Sequence, residues 1–151
     1  MRRWRTATLI PERGIPRVVP AMDPVTHFEM PADDKKRMTA FYSSVFGWKM
    51  QQMGPEMGEY VLAGTTEVDE KQMPMQPGRI NGGFYQRTDD PLSKVPSVVI
   101  QVANVAASME KVKSAGGKIL GEPQDIPGVG RWVSFQDTEG NRVSMIQEMR
   151  G

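Results

Sequence analysis

The chain states one pattern twice, 70 residues apart. His27 opens a short alternating run, Asp34 precedes a helical pattern, and Gly47 stops it. Ser97, Asn104 and Gly117 stand at the same three points 70 residues later. Each copy reads as strand, helix and three further strands. A single helix leaves much of its sheet uncovered, so two copies must combine to close a core. Two unrelated βα hairpins in one α+β domain are the alternative, but they leave the constant offset unexplained. The expected fold is α+β: two βαβββ modules, 22–88 and 96–148, forming a half-open, cupped mixed sheet within a domain of residues 22–151.

The first copy shows why. In VTHFEM, His27 and Glu29 share one face while Phe28 and Met30 share the other, the period of a strand with two different environments. Pro31 has no N–H to donate and ends the run. Asp33 and Asp34 can cap a helix at its positive end. Met38, Phe41, Tyr42, Val45 and Phe46 follow at i, i+3, i+4, i+7 and i+8, one apolar face expected to be buried. Gly47 ends the helix.

After the helix, strands are expected over 47–53, 59–63 and 79–87, with a polar loop at 65–78 and a proline-bounded linker at 88–96. Gly82 and Gly83 mark a bulge or a close backbone approach. In the second copy a strand over 97–102 leads to a helix carrying Val105, Met109, Val112 and Ala115. A short extended run at 118–120, a turn-rich segment at 121–130, a strand at 131–136, a tight turn at 137–141 and a closing strand at 142–147 complete it. The glycines of Gly128–Gly130 lack the further glycine and following helix of a dinucleotide loop, so they read as a turn.

Composition removes several classes of function. There is no cysteine, which excludes disulfides, thiol nucleophiles and thiolate metal sites. No run approaches the roughly 18 apolar residues of a membrane helix, so no membrane partner is expected. The net charge is +1, yet residues 1–21 hold five arginines against Glu12. The remainder is therefore mildly acidic, which argues against nucleic acid as a partner. The basic segment has three prolines and no amphipathic period, so a flexible tail is expected rather than an RNA-binding or targeting arm. Met22, just before the folded pattern, reads as a possible natural start, and the chain as cytoplasmic.

HFEMPADD followed by FYSSVFGW resembles the opening of the vicinal oxygen chelate superfamily, which includes glyoxalase I, bleomycin-resistance proteins and extradiol dioxygenases. PGVGRWVSFQDTEGNRVSMIQ resembles its closing strands. The resemblance spans residues 25–147 and implies the fold given above, and a homodimer. It also implies four metal-ligand positions in members that use metal. These fall on His27, on Ser97, on Ser144 and on the strand near Gly82–Tyr85. Only His27 is a suitable donor, so neither a metal nor any other cofactor is expected.

Strand alternation and the repeat place His27, Glu29, Ser97, Gln101, Trp132 and Ser144 at one cleft, with Gln101 across from Glu29. These groups suit a small, uncharged or weakly charged organic ligand, provided Arg131 and Arg142 do not both point inward. His27 and Glu29 are the candidate acid–base pair, against the alternative of a polar network without chemistry. The function expected is small-molecule binding of the glyoxalase/bleomycin-resistance type. The alternative is a metal-dependent lyase, isomerase or dioxygenase resembling lactoylglutathione lyase.

Overall fold

The computed structural model of the chain describes residues 22–149, so the expectations for residues 1–21 lie outside the described residues. β1 (Val25–Ala32), α1 (Lys35–Phe46), β2 (Lys49–Gln52), β3 (Val61–Gly64) and β4 (Asn81–Gln86) form the first module. β5 (Ser97–Gln101), α2 (Val105–Ser114), β6 (Lys118–Ile126), β7 (Gly130–Gln136) and β8 (Arg142–Glu148) form the second. The strands make one mixed sheet in the order β2-β3-β4-β1-β5-β8-β7-β6. β1 runs parallel to β4 and β5 parallel to β8, whereas the modules meet through the antiparallel pair β1–β5.

That seam carries the symmetry. Phe28 faces Val98 across it, His27 faces Val99 and Glu29 faces Ser97. Phe28 and Val98 are themselves 70 residues apart, so an approximate twofold axis passes between them. The helix caps obey the same offset. Asp34 accepts from the Arg37 N–H at 3.0 Å and Asn104 from the Ala107 N–H at 2.9 Å. Gly47 closes α1 in the left-handed conformation, φ 70°, and its N–H bonds to the Ser43 carbonyl. The second helix ends two residues sooner relative to the repeat, and the left-handed position falls on Gly116, one residue sooner than the counterpart of Gly47.

Each module has its own apolar core on the helix side of the sheet. Val61, Ala63 and Phe84 are buried with Phe28, Met30, Met38, Tyr42, Trp48 and Met50 against them. Val102, Val105, Val133 and Met145 form the other, packed by Ile100, Met109, Val112, Ile119 and Phe135. A fully buried side chain of this kind is worth about 1.5–3 kcal/mol before its entropy is subtracted. Because Phe28 and Met30 face α1, strand alternation sends His27 and Glu29 to the opposite face of the sheet.

Three expectations need correction. β1 does not end at Pro31 but runs to Ala32 in register with Tyr85 and Gln86 of β4, while the β5 ladder on its other side stops at Glu29, which leaves room for a proline there. Of the apolar face of α1, only Met38 and Tyr42 join the core, while Phe41, Val45 and Phe46 remain 54%, 56% and 59% exposed. One helix meets a four-stranded half-sheet along a line narrower than this apolar arc. The segment 121–130 is not simply turn-rich, for β6 continues to Ile126 with its ladder broken between Leu120 and Gln124. Gly121, at φ 74°, and Pro123 lie in that break, which an edge strand tolerates. Among the described residues no helix is long and apolar enough to cross a membrane.

Candidate functional site

Glu29 is the centre of the sheet face opposite the helices. It lies on a central strand and is only 7% exposed. Burial raises its pKa above the ordinary carboxylate value, opposed by the nearby Arg142 guanidinium and then by the polar N–H of the Trp132 indole. Trp132 is on β7, three strands from β1. That separation is roughly 14 Å on a flat sheet. Contact between the two side chains therefore requires the sheet to curl over this face.

Ladder register shows which residues of the two modules correspond. Glu29 pairs with Gly83 on β4, and its repeat mate Val99 pairs with Ser144 on β8. Gly83 pairs with Leu62, and Ser144 with Ser134. Two residues before Leu62 and Ser134 stand Tyr60 and Trp132, which are thus equivalent. The Tyr60 ring lies over Gly83, where an added Cβ would run into the phenol. Its hydroxyl is 3.5 Å from His27 Nε2, the long limit of a hydrogen bond. Burial, then the neighbouring Glu29 and Tyr85, hold the Tyr60 hydroxyl far above the usual phenol pKa. The Tyr60 hydroxyl is thus protonated at any ordinary pH. Burial lowers the pKa of His27, which favours the neutral imidazole.

The backbone before Tyr60 is strained and held. Glu59 adopts φ 53°, in the left-handed region. Its carbonyl accepts from Lys35 Nζ at 2.8 Å and from Gln52 Nε2 at 2.7 Å. Arg142 closes one end of the face. It donates to the Tyr85 hydroxyl at 2.7 Å and to the Leu92 carbonyl at 2.9 Å, and its guanidinium carbon is 4.8 Å from the centre of the Tyr85 ring. Tyr85 in turn donates to the Val95 carbonyl at 2.8 Å. The linker between the modules is thereby tied to both of them. Burial raises the Tyr85 pKa, with Arg142 opposing.

The structure brings His27, Glu29 and Trp132 to one place. Ser97 and Ser144 are at the same face but already engaged. Ser97 Oγ donates to the Arg142 carbonyl at 2.9 Å, and the Ser144 and Ser134 hydroxyls share a hydrogen bond of 2.9 Å. Gln101 is misplaced by the sequence reading: Ser97, not Gln101, stands across from Glu29, and Gln101 pairs with Ile146 on β8. The β1–β5 pair is antiparallel, so the repeat mate of one residue lies opposite a different one. No hydrogen bond joins His27 to Glu29, whose contacts run to Tyr60 and Trp132 respectively. Arg142 points inward, whereas Arg131 points outward and pairs with exposed Asp125 at 3.4 Å. Tyr60 and Tyr85 carry no motif and were not singled out by sequence. Pairing the third strands of the two copies would have set Tyr60 beside Trp132.

The residues at the four ligand positions do not fit a transition metal. Gly83 has no side chain, two serines are hydrogen-bonded elsewhere, and His27 alone is a strong donor. Among the described residues no cluster of three or more histidine, aspartate, glutamate or cysteine side chains could hold one. Two open hollows, of about 360 and 160 Å³, lie away from Glu29. The larger is lined by Pro31, Arg37, Met38, Phe41 and Arg87, the smaller by Asp23, Ile100, Lys111 and Phe135.

Comparison with known proteins agrees with the topology. The chain is 31% identical over 120 residues to a glyoxylase-like domain-containing protein of Didymella fabae, covering 78% of this chain and 88% of that one. It is 29% identical over 122 residues to the putative glyoxylase CFP32 of Mycobacterium bovis, covering 79% of this chain but only 42% of the relative. Among solved structures, a hypothetical protein, BH1468, of Bacillus halodurans superposes with TM-score 0.63 at 12% identity, over 87% of this chain and 98% of that one. Methylmalonyl-CoA epimerase of Mycobacterium tuberculosis superposes with TM-score 0.61 at 14% identity, over 89% and 95%. At such identities the superpositions speak for the fold alone. Residues 25–145 match the family described as Glyoxalase/Bleomycin resistance protein/Dioxygenase superfamily, and the chain belongs to that superfamily.

Proposed function

We propose that this is a small-molecule-binding protein of the glyoxalase/bleomycin-resistance type, working without a transition metal at the face around Glu29. The observation that carries the reading is the buried Glu29 carboxylate, set between Trp132, Tyr60 and Arg142. One inward carboxylate and one inward guanidinium largely offset each other, so an uncharged or weakly charged organic ligand suits the face. The aromatic rings supply area, and the phenol, indole and carboxylate supply directed hydrogen bonds. Trp132 and Tyr60 are the rings a ligand would meet at this face.

The experiment is a thermal-shift screen on wild type, Glu29→Gln and Trp132→Ala. A hit at 100 times its dissociation constant stabilises the wild type by about 2.7 kcal/mol. Both variants should bind it more weakly. Equal binding by all three proteins moves the site elsewhere, and hits confined to polyphosphates or nucleic acids overturn the ligand class.

An acid–base enzyme is the second reading, favoured by the raised Glu29 pKa beside a protonated phenol. Its test is deuterium exchange from solvent into the carbon next to the carbonyl group of a screening hit. The C–H proton would pass to Glu29 and the electron pair to the carbonyl oxygen, so Glu29→Gln should abolish exchange. A metal-dependent lyase, isomerase or dioxygenase is disfavoured by the donor set.

The same proposal takes residues 22–151 as one cytoplasmic domain, built of modules 22–88 and 96–148 and paired as a homodimer. The exposed Phe41, Val45 and Phe46 on α1 support pairing. A monomer mass independent of concentration in light scattering would refute it.

A further inference from the structure

The unfilled ligand positions alone would leave a site that lost its metal but kept the room for one. The position on β4 is different. Gly83 is the register equivalent of Ser144, so a ligand from the first module would leave the sheet at Gly83. The space above Gly83 holds the Tyr60 ring, and the Tyr60 hydroxyl is 3.5 Å from Nε2 of His27. The phenol thus takes the room of the missing ligand and also meets the one imidazole that remains.

This placement is built in. Tyr60 directly follows the left-handed Glu59, whose carbonyl is gripped by Lys35 and Gln52 from α1 and β2. The Tyr60 carbonyl accepts from the Met53 N–H at 2.8 Å, and its N–H donates to Met57. The backbone is therefore fixed on both sides of the residue, which sets the point from which the side chain reaches over Gly83.

We propose that Tyr60 is the specificity-determining residue that closes this site to divalent transition metals, and that it converts His27 from a metal ligand into a hydrogen-bond partner. The inference rests on the metal-free reading of the face and explains it. Restoring the lost ligands should not restore metal binding while Tyr60 is present.

The test uses zinc alone, titrated in competition with a chromophoric chelator. The proteins are wild type, Ser97→His/Ser144→Glu, and the same pair with Tyr60→Ala. With Tyr60 present, the paired substitutions should bind zinc no better than wild type. Adding Tyr60→Ala should tighten zinc binding by at least about 10-fold, the scale on which a metal's surroundings alter affinity. The His27 ring signals should then shift with zinc. Equal affinity with and without Tyr60, whether tight or weak, overturns the proposal.

Ser144 is fully buried, so the paired substitutions risk unfolding the chain. A second measurement avoids this. His27 is the sole histidine, so its ring nitrogen resonances are unambiguous. Tyr60→Phe should move the Nε2 resonance while leaving the ring over Gly83. An unchanged resonance would show that the contact is not formed, and would overturn the proposal. Neither readout involves an organic ligand, so failure here is separate from failure of the ligand screen.

Discussion

Tyr60 and Trp132 occupy equivalent positions in the two modules, and both lie beside the Glu29 carboxylate. The repeat thus supplies the site with a matched pair of aromatic rings, each carrying one polar hydrogen. The symmetry fails in the residues between them. His27, Gly83 and Glu29 belong to one module, and Ser97, Ser144 and Val99 to the other. An acidic group enters from one side only, so a ligand bound across the axis would be held in one orientation.

Glu29 should make stability fall as pH rises. Its pKa is raised in the folded chain, so the native form holds the proton more tightly than the unfolded chain from about pH 4.5 upward. Stability is then lost as pH climbs through that interval. Glu29→Gln should remove this slope. Urea unfolding at a series of pH values from acid to neutral would check it, and parallel curves for the two proteins would contradict it.

His27 acts in the opposite sense. Its pKa is lowered from 6.5, so the unfolded chain takes up the proton first as pH falls. The folded state then loses stability below about pH 6.5. The histidine ring signals should titrate with a midpoint below that value, and His27→Asn should flatten the acid limb.

The hydrogen bond between Ser134 and Ser144 is buried, with the two residues 5% and 0% exposed. Ser144→Ala leaves the Ser134 hydroxyl without its partner and should cost about 1–3 kcal/mol. Removing both hydroxyls should cost less than the sum of the single changes. A double-mutant cycle by chemical denaturation measures the coupling, and additivity would show that the bond contributes nothing.

Gly83→Ala should destabilise the fold by about 1–3 kcal/mol, because the methyl group would meet the Tyr60 ring. In a Tyr60→Ala background the same change should be much milder. Equal penalties in both backgrounds would mean that the ring does not rest on Gly83.

The sequence revealed what depends on period and on local chemistry. The 70-residue offset, both helix caps and the left-handed Gly47 all follow from residue types within a few positions of one another. The division of β1 into a helix side and a site side was equally legible, because Phe28 and Met30 alternate with His27 and Glu29. What escaped depends on the partner strand. Gln101 shares a face with Ser97, but only the antiparallel register at the seam shows which of them meets Glu29. Tyr60 lies next to strained Glu59, and nothing local marks a glutamate that will adopt positive φ. The exposure of Phe41, Val45 and Phe46 reflects the width of the sheet beneath α1, which the helix's own periodicity does not encode.

The two apolar cores are joined chiefly by the β1–β5 ladder and by the linker that Arg142 and Tyr85 tie down. The seam, not either core, thus decides whether the halves open together or one after the other. The site draws Glu29, His27 and Tyr60 from one half, and Trp132 and Arg142 from the other. If the seam parts while each core stays folded, the chain keeps most of its secondary structure and loses the face around Glu29. Function would then fail at milder stress than circular dichroism registers, and amide exchange along β1 and β5 would record the opening first.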